Sequence, residues 1–211
     1  MRASADAQQT HEREETSTAT DVALVAVFAA LLAALSLMPP IPVGAAGVPI
    51  TLQTLAVALA AMVLGPWRGA AAVGLYLVVG LVGLPVFAGG AAGVAVLAKP
   101  SAGYLLSFPL AAIIIGLLSR RALRSRHRSW RYALLVLSGL AGSFLVVHPL
   151  GIVGMVANAD LSWTAAALAD MLYWPGDVIK NLAAGAIAAS VHAAFPRLLP
   201  RHASRRAAAG A

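Results

Sequence analysis

The sequence contains no cysteine, and charged residues make up only 11% of its 211 positions. Without cysteine, the chain has no disulfide bond and no metal site with thiolate ligands. Soluble domains carry about 25% charged residues, whereas this chain is 60% hydrophobic and has no charged residue from position 22 to position 67. A soluble globular fold is therefore excluded, and the composition predicts an integral membrane protein.

Sequence motifs for catalysis and for nucleotide binding are also lacking. The chain has no GxxxxGK[ST] phosphate loop, no GxGxxG, no HExxH and no GxSxG. We therefore expect no ATP hydrolysis, no bound cofactor or metal, and no enzymatic activity. The five histidines are scattered along the sequence. His148 precedes Pro149 in a hydrophobic segment, and we interpret this pair as a helix kink rather than as part of a functional site.

Hydrophobic segments predict an all-α integral membrane protein with six transmembrane helices. A helix needs about 20 mostly apolar residues to span a bilayer. The segments are residues 22–38, 50–64, 69–84, 103–118, 132–155 and 175–194. The second and third are short, so they require tilt or flanking residues to span. We predict one substrate-binding domain over residues 21–196, with a disordered segment at 1–20 and a basic, disordered tail at 197–211.

Lysine and arginine are distributed unevenly between the two sides of the predicted bundle. With the N-terminus inside the cell, the cytoplasmic side holds two in the first segment, one after the second helix, six at positions 120–131 and four in the tail. The outer loops hold only Lys99, and Lys180 lies within the last helix. This asymmetry predicts that both termini are cytoplasmic. We therefore assign the net charge of +7 to topology and to contact with membrane lipid, and expect no nucleic-acid partner.

The sharpest candidate for a binding site is PGDVIK, residues 175–180. Proline favours the first turn of a helix, so this segment predicts the outer start of the sixth helix. Asp177 and Lys180 are three residues apart and share one helix face. A charge at the centre of a bilayer costs about 3 kcal/mol on insertion scales, so such residues usually face a cavity or a partner. The pair either anchors the helix end near the headgroups or binds a ligand, with Lys180 holding a carboxylate and Asp177 accepting N–H groups.

The connection between the third and fourth helices is rich in glycine and also carries an aromatic residue. Phe87, Gly89 and Gly90 lie in this connection, and Lys99 follows them. Glycine permits positive φ and close approach of the backbone, as in a loop that covers a ligand. A flexible linker is the alternative, but a solvated linker would avoid Phe87 and its apolar neighbours.

The outer end of the second helix carries neutral hydrogen-bonding groups in a hydrophobic region. Thr51, Gln53 and Thr54 lie there, after a proline-rich stretch. These side chains either bind a polar ligand or cap the helix. Capping is the favoured interpretation for Thr51.

The first helix carries small residues at four-residue spacing. Ala26, Ala30 and Ala34 form this stripe, and Ala29 and Ala33 lie beside it. A stripe of small residues permits a second helix to pack closely in the membrane. It marks either a docking face for a partner protein or internal packing, and internal packing is at least as frequent.

The motifs, taken in order, resemble the BioY family, the biotin-specific membrane components (S components) of energy-coupling factor (ECF) transporters. The matching motifs are VPITLQTL at 48–55, LGP at 64–66, Gly69, GLPVFAGG at 83–90, GY at 103–104 and PGDVIK at 175–180. Two positions depart from the family pattern: Ala102 stands where a second glycine is common, and Lys99 stands where many relatives have glycine. Lys99 is either an extra contact for a carboxylate or an unrelated charge in an outer loop.

The resemblance implies an ECF S-component-like bundle of six helices in the cytoplasmic membrane, with biotin held near the outer surface. Asp177 and Lys180 resemble the ligand-contacting pair of the family. The glycine-rich loop at residues 87–93 is similar to the segment that closes over the ligand. Tyr104 and Gln53 are similar to pocket residues.

The resemblance also implies partner proteins, because uphill uptake needs energy and the chain has no ATPase motif. The partners are an ECF transmembrane coupling protein and a pair of cytoplasmic ATPases. The alanine stripe on the first helix would be the docking face. Some members of the family are thought to work without such partners.

Three other functions compete with this interpretation. An S component of the same architecture could bind another vitamin, such as thiamin or riboflavin, although a cationic ligand would favour more acidic residues than the balanced pair of Asp177 and Lys180. An intramembrane hydrolase could use Asp170 and Asp177 as acid and base, although the Pro-Gly pair at 175–176 interrupts the helix face between them. A purely structural membrane protein is the third, and the glycine-rich loop argues against it.

Overall fold

The computed structural model describes residues 2–44, 46–125 and 127–195. Within these ranges the chain has no β-strand, and it forms α-helices joined by three short 3-10 segments, Ala88–Gly90, Val94–Ala98 and Met171–Tyr173. The helices are α1 (Arg2–Ser36), α2 (Gln53–Leu64), α3 (Pro66–Val82), α4 (Ala102–Ala122), α5 (Arg128–Gly142), α6 (His148–Ala159), α7 (Trp163–Asp170) and α8 (Trp174–Ala194).

The all-α prediction is confirmed, and each of the six predicted hydrophobic segments is largely helical. Among the described residues, three stretches are long and apolar enough to cross a membrane: Thr18–Ser36, Ala102–Ala122 and Trp130–Ala159. Helices α2 and α3 are apolar but have only 12 and 17 residues. Helix α8 has 21 residues and carries two charged side chains near its start. The count of six spans and the cytoplasmic termini stay predictions.

The structure differs from the sequence predictions in two segments. Helix α1 begins at Arg2 and so includes positions for which disorder is predicted. The alanine, glutamate, glutamine and arginine residues of that segment are good helix formers, and they extend a helix that the apolar residues after it already nucleate. Helix α7 follows no predicted segment and begins after Ser162, whose hydroxyl accepts a hydrogen bond from the N–H of Ala165 at 3.2 Å. The predicted tail at 197–211 lies outside the described residues.

The predicted kink near Pro149 takes the form of a π-helical segment, Ser143–Val147, which joins α5 to α6. Proline has no N–H, and its ring excludes a normal helical hydrogen bond to the carbonyl four residues earlier, here that of Leu145. A π-helical turn accommodates this defect without breaking the helix, and such turns are frequent at functional sites. His148 follows directly and is buried.

Helix α4 lies at the centre of the bundle and packs against α2, α3, α5 and α6. Helix α1 covers α3 at the edge, and α8 packs on α2 and α5. One close crossing joins Gly103 of α4 to Gly154 of α6, where a Cβ atom on Gly103 would collide with the carbonyl of Leu150. In lipid, such close packing replaces the hydrophobic effect as the force that holds helices together.

The bundle has two chemically different ends. At one end α2, α4 and α8 begin, and Thr54 contacts Lys180 across the first turns of α2 and α8. At the other end His192, near the end of α8, contacts the end of α2. The arginine-rich connection begins at this second end, where Arg120 packs beside Gly65. The polar site described next lies at the first end, away from the arginines.

Candidate ligand-binding site

A cavity of about 270 Å³ opens between the first turns of α2, α4 and α8 and the neighbouring connections. Its walls include the apolar side chains of Val96, Leu105 and Phe108. A concave, mostly apolar site with a few polar groups is typical of small-molecule binding. Most of the predicted ligand-binding residues meet here, and those that line the cavity are Thr51, Gln53, Phe87, Lys99, Tyr104, Asp177 and Lys180.

Asp177 and Lys180 lie in the wall of this cavity and form an ion pair of 2.8 Å. Asp177 is buried, and only 11% of the Lys180 side chain is exposed. Thr54 of α2 completes the cluster: its hydroxyl donates to Asp177 Oδ1 at 3.0 Å, and Lys180 Nζ donates to the Thr54 hydroxyl at 3.1 Å. An anchor at the headgroups would not need burial in the wall of a cavity, so the geometry favours the ligand-binding interpretation of the pair.

A second layer of buried polar side chains lies behind Asp177 and is centred on Asp170, the last residue of α7. The carboxylate of Asp170 is fully buried and accepts hydrogen bonds from the Tyr104 hydroxyl at 2.6 Å and from Trp174 Nε1 at 2.8 Å. His148 links the two layers, because its Nδ1 lies 2.8 Å from Asp170 Oδ1 and its Nε2 lies 3.5 Å from Asp177 Oδ2. Tyr104 therefore lines the cavity with its ring and holds the second layer with its hydroxyl.

The sequence interpretation assigned His148 to a helix kink, and it named Thr54 as a polar group at the start of α2 without connecting it to Asp177. His148 lies 22 residues from Asp170, and Thr54 lies 123 residues from Asp177. No spacing rule connects positions so far apart in the sequence. The sequence does contain one relevant signal: an ionisable residue inside a hydrophobic segment is usually functional. That rule applied to His148 as much as to Asp177.

Gln53, the first residue of α2, belongs to a chain of neutral hydrogen bonds at the cavity floor. Its Nε2 donates to the Tyr76 hydroxyl at 2.6 Å, and that hydroxyl shares a hydrogen bond of 2.9 Å with Ser36. The Thr51 hydroxyl donates to Gln53 Oε1 at 3.1 Å. Leu52 occupies the N-cap position of α2 and supplies no side-chain cap. The Thr51 hydroxyl nevertheless accepts a hydrogen bond from the N–H of Gln53 at 3.4 Å, so it satisfies one N–H of the first turn. Thr51 also lines the cavity and orients the glutamine amide.

Phe87 is buried and closes one side of the cavity. Its ring packs edge-to-face against Tyr76, with ring centroids 5.3 Å apart. It lies directly against Gly80 of α3, where a Cβ atom would collide with the ring. The glycine at position 80 therefore provides the space that lets this aromatic residue fold back onto the bundle.

Gly89 and Gly90 form the turn of the glycine-rich loop and are exposed. Both have positive φ, 68° and 73°, which disfavours residues with a side chain. The turn brings the N–H of Phe87 to the carbonyl of Ala91 at 3.1 Å. Among the described residues, Ala88 and Ala91 line the cavity, whereas these two glycines do not. Direct ligand contact by these two glycines stays a prediction.

Lys99 differs from Lys180 in exposure and in pairing. Both line the cavity, but Lys99 is exposed and has no ion pair within the described parts of the chain. Its backbone carbonyl accepts a hydrogen bond from Asn158 Nδ2 at 2.9 Å, which ties the loop to the end of α6. The cavity therefore holds one neutralised ammonium group and one without an anionic partner among these residues.

Tyr173 joins the segment before α2 to the segment before α8. Its hydroxyl donates to the carbonyl of Val48 at 2.9 Å, and its ring packs edge-to-face on Tyr104. Burial raises the pKa of the Tyr173 phenol, and the charge of Asp170 raises it further. The phenol is therefore a neutral donor that holds the cavity rim together.

The alanine stripe lies on the outside of the bundle. Ala26, Ala30 and Ala34 are exposed, whereas Ala29 and Leu32 of the same helix are buried against the core. Internal packing is therefore wrong as an account of the stripe, because helix α1 turns its other face inward. Docking of a partner on these three residues stays a prediction.

Comparisons with known proteins agree on one family. A family model described as the BioY family matches residues 7–197. A "Biotin transporter BioY" from Rhizobium etli is 39% identical over 184 residues, which cover 87% of this chain and 98% of that relative. Another from Rhodobacter capsulatus is 39% identical over 184 residues, covering 81% and 92% respectively.

A solved structure also matches: the S-component for biotin from an ECF-type ABC transporter. It has a TM-score of 0.75 and 26% sequence identity, and the match covers 84% of this chain and 93% of that chain. The match confirms the predicted fold class, an S-component-like helical bundle of the membrane.

Proposed function

The chain belongs to the BioY family, and we propose that it binds biotin and takes part in its uptake as the substrate-specific S component of an ECF-type transporter. It is a multi-pass protein of the cytoplasmic membrane, and its relatives are transporters rather than enzymes. The observation that carries the proposal is the buried ion pair of Asp177 and Lys180 in the wall of a mostly apolar cavity.

The chemistry of biotin suits this arrangement of groups. Biotin has a ureido ring with two N–H donors and one carbonyl acceptor, an apolar bicycle and a carboxylate tail. A carboxylate has about four acceptor positions, and Asp177 uses its Oδ1 for Thr54 and Lys180. A remaining position of Asp177 accepts a ureido N–H group, and Lys180 donates to the ureido oxygen. The apolar walls cover the bicycle.

The carboxylate tail is assigned to Lys99 rather than to Lys180. The charge of Lys180 is already balanced by Asp177 at 2.8 Å, and a second carboxylate there would be repelled by the first. Lys99 lines the same cavity, is exposed, and has no ion pair within the residues that the structure describes. A tail that reaches this side would be bound by a free ammonium group.

Energy for uphill uptake comes, in this proposal, from an ECF coupling protein and a pair of cytoplasmic ATPases. The absence of a nucleotide-binding motif in the sequence supports the need for them. The exposed stripe of Ala26, Ala30 and Ala34 supports α1 as the docking face, because small residues let a partner helix approach closely.

The deciding experiment is equilibrium binding of labelled biotin to the purified chain without any partner. We expect saturable binding at one site, displaced by unlabelled biotin but not by thiamin or riboflavin. Displacement by either of those vitamins at similar concentration would show that the site is not specific for biotin. Absence of saturable binding to a folded, monodisperse chain would overturn the proposal.

The hydrolase alternative finds no support in the geometry. Asp170 does not line the cavity, and both of its oxygens are engaged by Tyr104, His148 and Trp174. A carboxylate enclosed in this way cannot reach a substrate as general acid or base.

A further inference from the structure

His148 lies between two buried carboxylates that belong to different helices. Its Nδ1 is 2.8 Å from Asp170 Oδ1, and its Nε2 is 3.5 Å from Asp177 Oδ2. The exposed fractions of the three side chains are 4%, 1% and 4%. His148 itself does not line the cavity. Its position indicates an effect on the site through Asp177 rather than contact with a ligand.

The charges that face one another here balance only if the cluster holds one further proton, on the imidazole or on a carboxyl group. Asp170 comes from α7, Asp177 and Lys180 from α8, and Tyr104 of α4 adds a neutral hydroxyl. Lys180 balances Asp177, and the structure describes no other cation within ion-pair distance of Asp170. With a neutral His148 and both carboxylates ionised, the buried cluster would carry one uncompensated negative charge, which is costly in a low-dielectric interior. Asp170 accepts hydrogen bonds at both oxygens, from Tyr104 and Trp174, which favours its ionised form and leaves the imidazole to carry the proton.

Hydrogen bonding leads to the same charge state. A neutral imidazole that donates from Nδ1 to Asp170 would present the lone pair of Nε2 to the carboxylate of Asp177, and Nε2 has no hydrogen-bond partner among the described residues. A protonated ring has an N–H on both nitrogens: one bonds Asp170, and the other faces Asp177 Oδ2 at 3.5 Å, an ion-pair contact that is longer than a hydrogen bond. The Phe144 ring, with its centroid 4.8 Å from that of the imidazole, is also close enough for a cation–π contact.

Asp170 is built as a fixed counter-ion for such a cation. The Tyr104 hydroxyl at 2.6 Å and His148 Nδ1 share its Oδ1, and Trp174 Nε1 donates to its Oδ2 at 2.8 Å. These donors come from α4, α6 and α8, so the carboxylate cannot turn away without breaking contacts to three helices. The anion therefore fixes both the position and the orientation of the imidazole ring.

We propose that His148 is a buried imidazolium, with Asp170 as its counter-ion, and that it is a positioning residue that holds Asp177 ionised and oriented toward the cavity. The positioning role rests on the proposed function, whereas the charge state of His148 does not. The two are therefore tested by separate measurements.

The charge state is measured by nitrogen-15 NMR on the full chain, labelled at histidine, in detergent and without ligand. The His148→Gln variant assigns the His148 signals by their loss. We expect both ring nitrogens of His148 to have the shifts of protonated nitrogen at neutral pH. One unprotonated nitrogen with the far-downfield shift of a neutral imidazole would overturn the proposal, whether or not the chain binds biotin.

The positioning role is measured by biotin binding to single and double variants. His148→Gln removes the cation and leaves two carboxylates with one ammonium group, so we expect biotin affinity to fall about tenfold. Adding Asp170→Asn removes the matching anion, and we expect the double variant to recover to within about threefold of the wild-type affinity, since coupled charges are not additive. A double variant whose biotin affinity is as low as that of His148→Gln, or lower, would contradict the positioning role of His148.

The matched control is His192→Gln. His192 is also a buried histidine, but it bonds the carbonyl of Met62 near the opposite end of α8. We expect biotin affinity in this variant to equal that of the wild type. An equal loss in both histidine variants would show that any buried histidine is needed for folding, and the positioning role would be withdrawn.

Discussion

Helices α8 and α1 differ in the direction that their distinctive residues face: the polar residues of α8 face the interior of the bundle, and the alanine stripe of α1 faces outward. Helix α8 turns its polar side chains inward, and Asp177, Asn181 and His192 are all buried. Helix α1 turns Ala30 and Ala34 outward. A polar residue that faces the interior of a membrane protein needs an internal partner or a ligand. Small residues that face outward leave room for a neighbour instead, so the two helices point to two different functions, substrate binding and partner docking.

The largest effect is expected from filling the outward face. Ala30→Trp places a bulky ring on the stripe, and we expect energy-dependent biotin uptake by cells to be abolished because a partner helix can no longer approach. Biotin binding to the purified variant should be unchanged, since the stripe does not line the cavity. The measurement is uptake of labelled biotin in cells that also produce the coupling protein and the ATPases.

The control for this variant is Leu137→Trp. Leu137 is exposed on α5, which packs on α4 and α8 and lies away from α1. Uptake should survive there. Normal uptake by the Ala30→Trp variant would show that this face of α1 is not the docking face for the partner.

The next effect is expected from the inward face of α8. Asp177→Asn or Lys180→Ala leaves the other member of a buried pair uncompensated, and a charge-assisted hydrogen bond is worth about 1.5–3 kcal/mol. We therefore expect each variant to weaken biotin binding about tenfold or more, as measured by equilibrium binding to the purified chain.

Asp160→Asn is the matched control for the aspartate. Asp160 is exposed at the end of α6 with a φ of 51°, a conformation that asparagine adopts readily. The Asp160→Asn variant should bind biotin with the affinity of the wild type. Wild-type affinity in both α8 variants would remove the site assignment altogether.

The sequence predicted α8 more completely than it predicted the cluster around it. Asp177 and Lys180 are one helical turn apart, so their pairing follows from helix geometry alone. Thr54 and His148 join the same cluster from α2 and α6, and such contacts depend on how helices pack, which no local pattern encodes. The hydrophobic segments predicted the long helices well because burial in lipid demands continuous apolar runs. Helix α7 has only eight residues, too few to be recognised in that way.

The glycine-rich loop shows the same limit. Its glycines predicted a loop with unusual backbone angles, and positive φ at Gly89 and Gly90 agrees. The side of the loop that faces the cavity could not be predicted, because it depends on how Phe87 packs against Gly80 of α3. A residue pattern indicates that a turn is present, whereas tertiary packing decides which side chains it directs inward.

A smaller effect is expected at the contact that α2 makes with the polar face of α8. Thr54→Val keeps the shape of the side chain but removes the hydroxyl that bonds both Asp177 and Lys180. Loss of a net hydrogen bond costs about 1 kcal/mol, so we expect biotin affinity to fall about fivefold. Thr164→Val, at an exposed position of α7, is the control. An unchanged affinity in Thr54→Val would show that the α8 pair needs no support from α2.

The smallest effect is expected at Lys99, the exposed counterpart of the buried Lys180. An ion pair near the surface is worth about 0.2–1 kcal/mol, so Lys99→Gln should weaken biotin binding about threefold at low salt and less at high salt. With biotin amide, which has no carboxylate, wild type and variant should bind equally well. A loss that persists with the amide would show that Lys99 contacts another part of the ligand. A loss as large as that of Lys180→Ala would contradict the contrast between a buried, paired ammonium group and an exposed, free one.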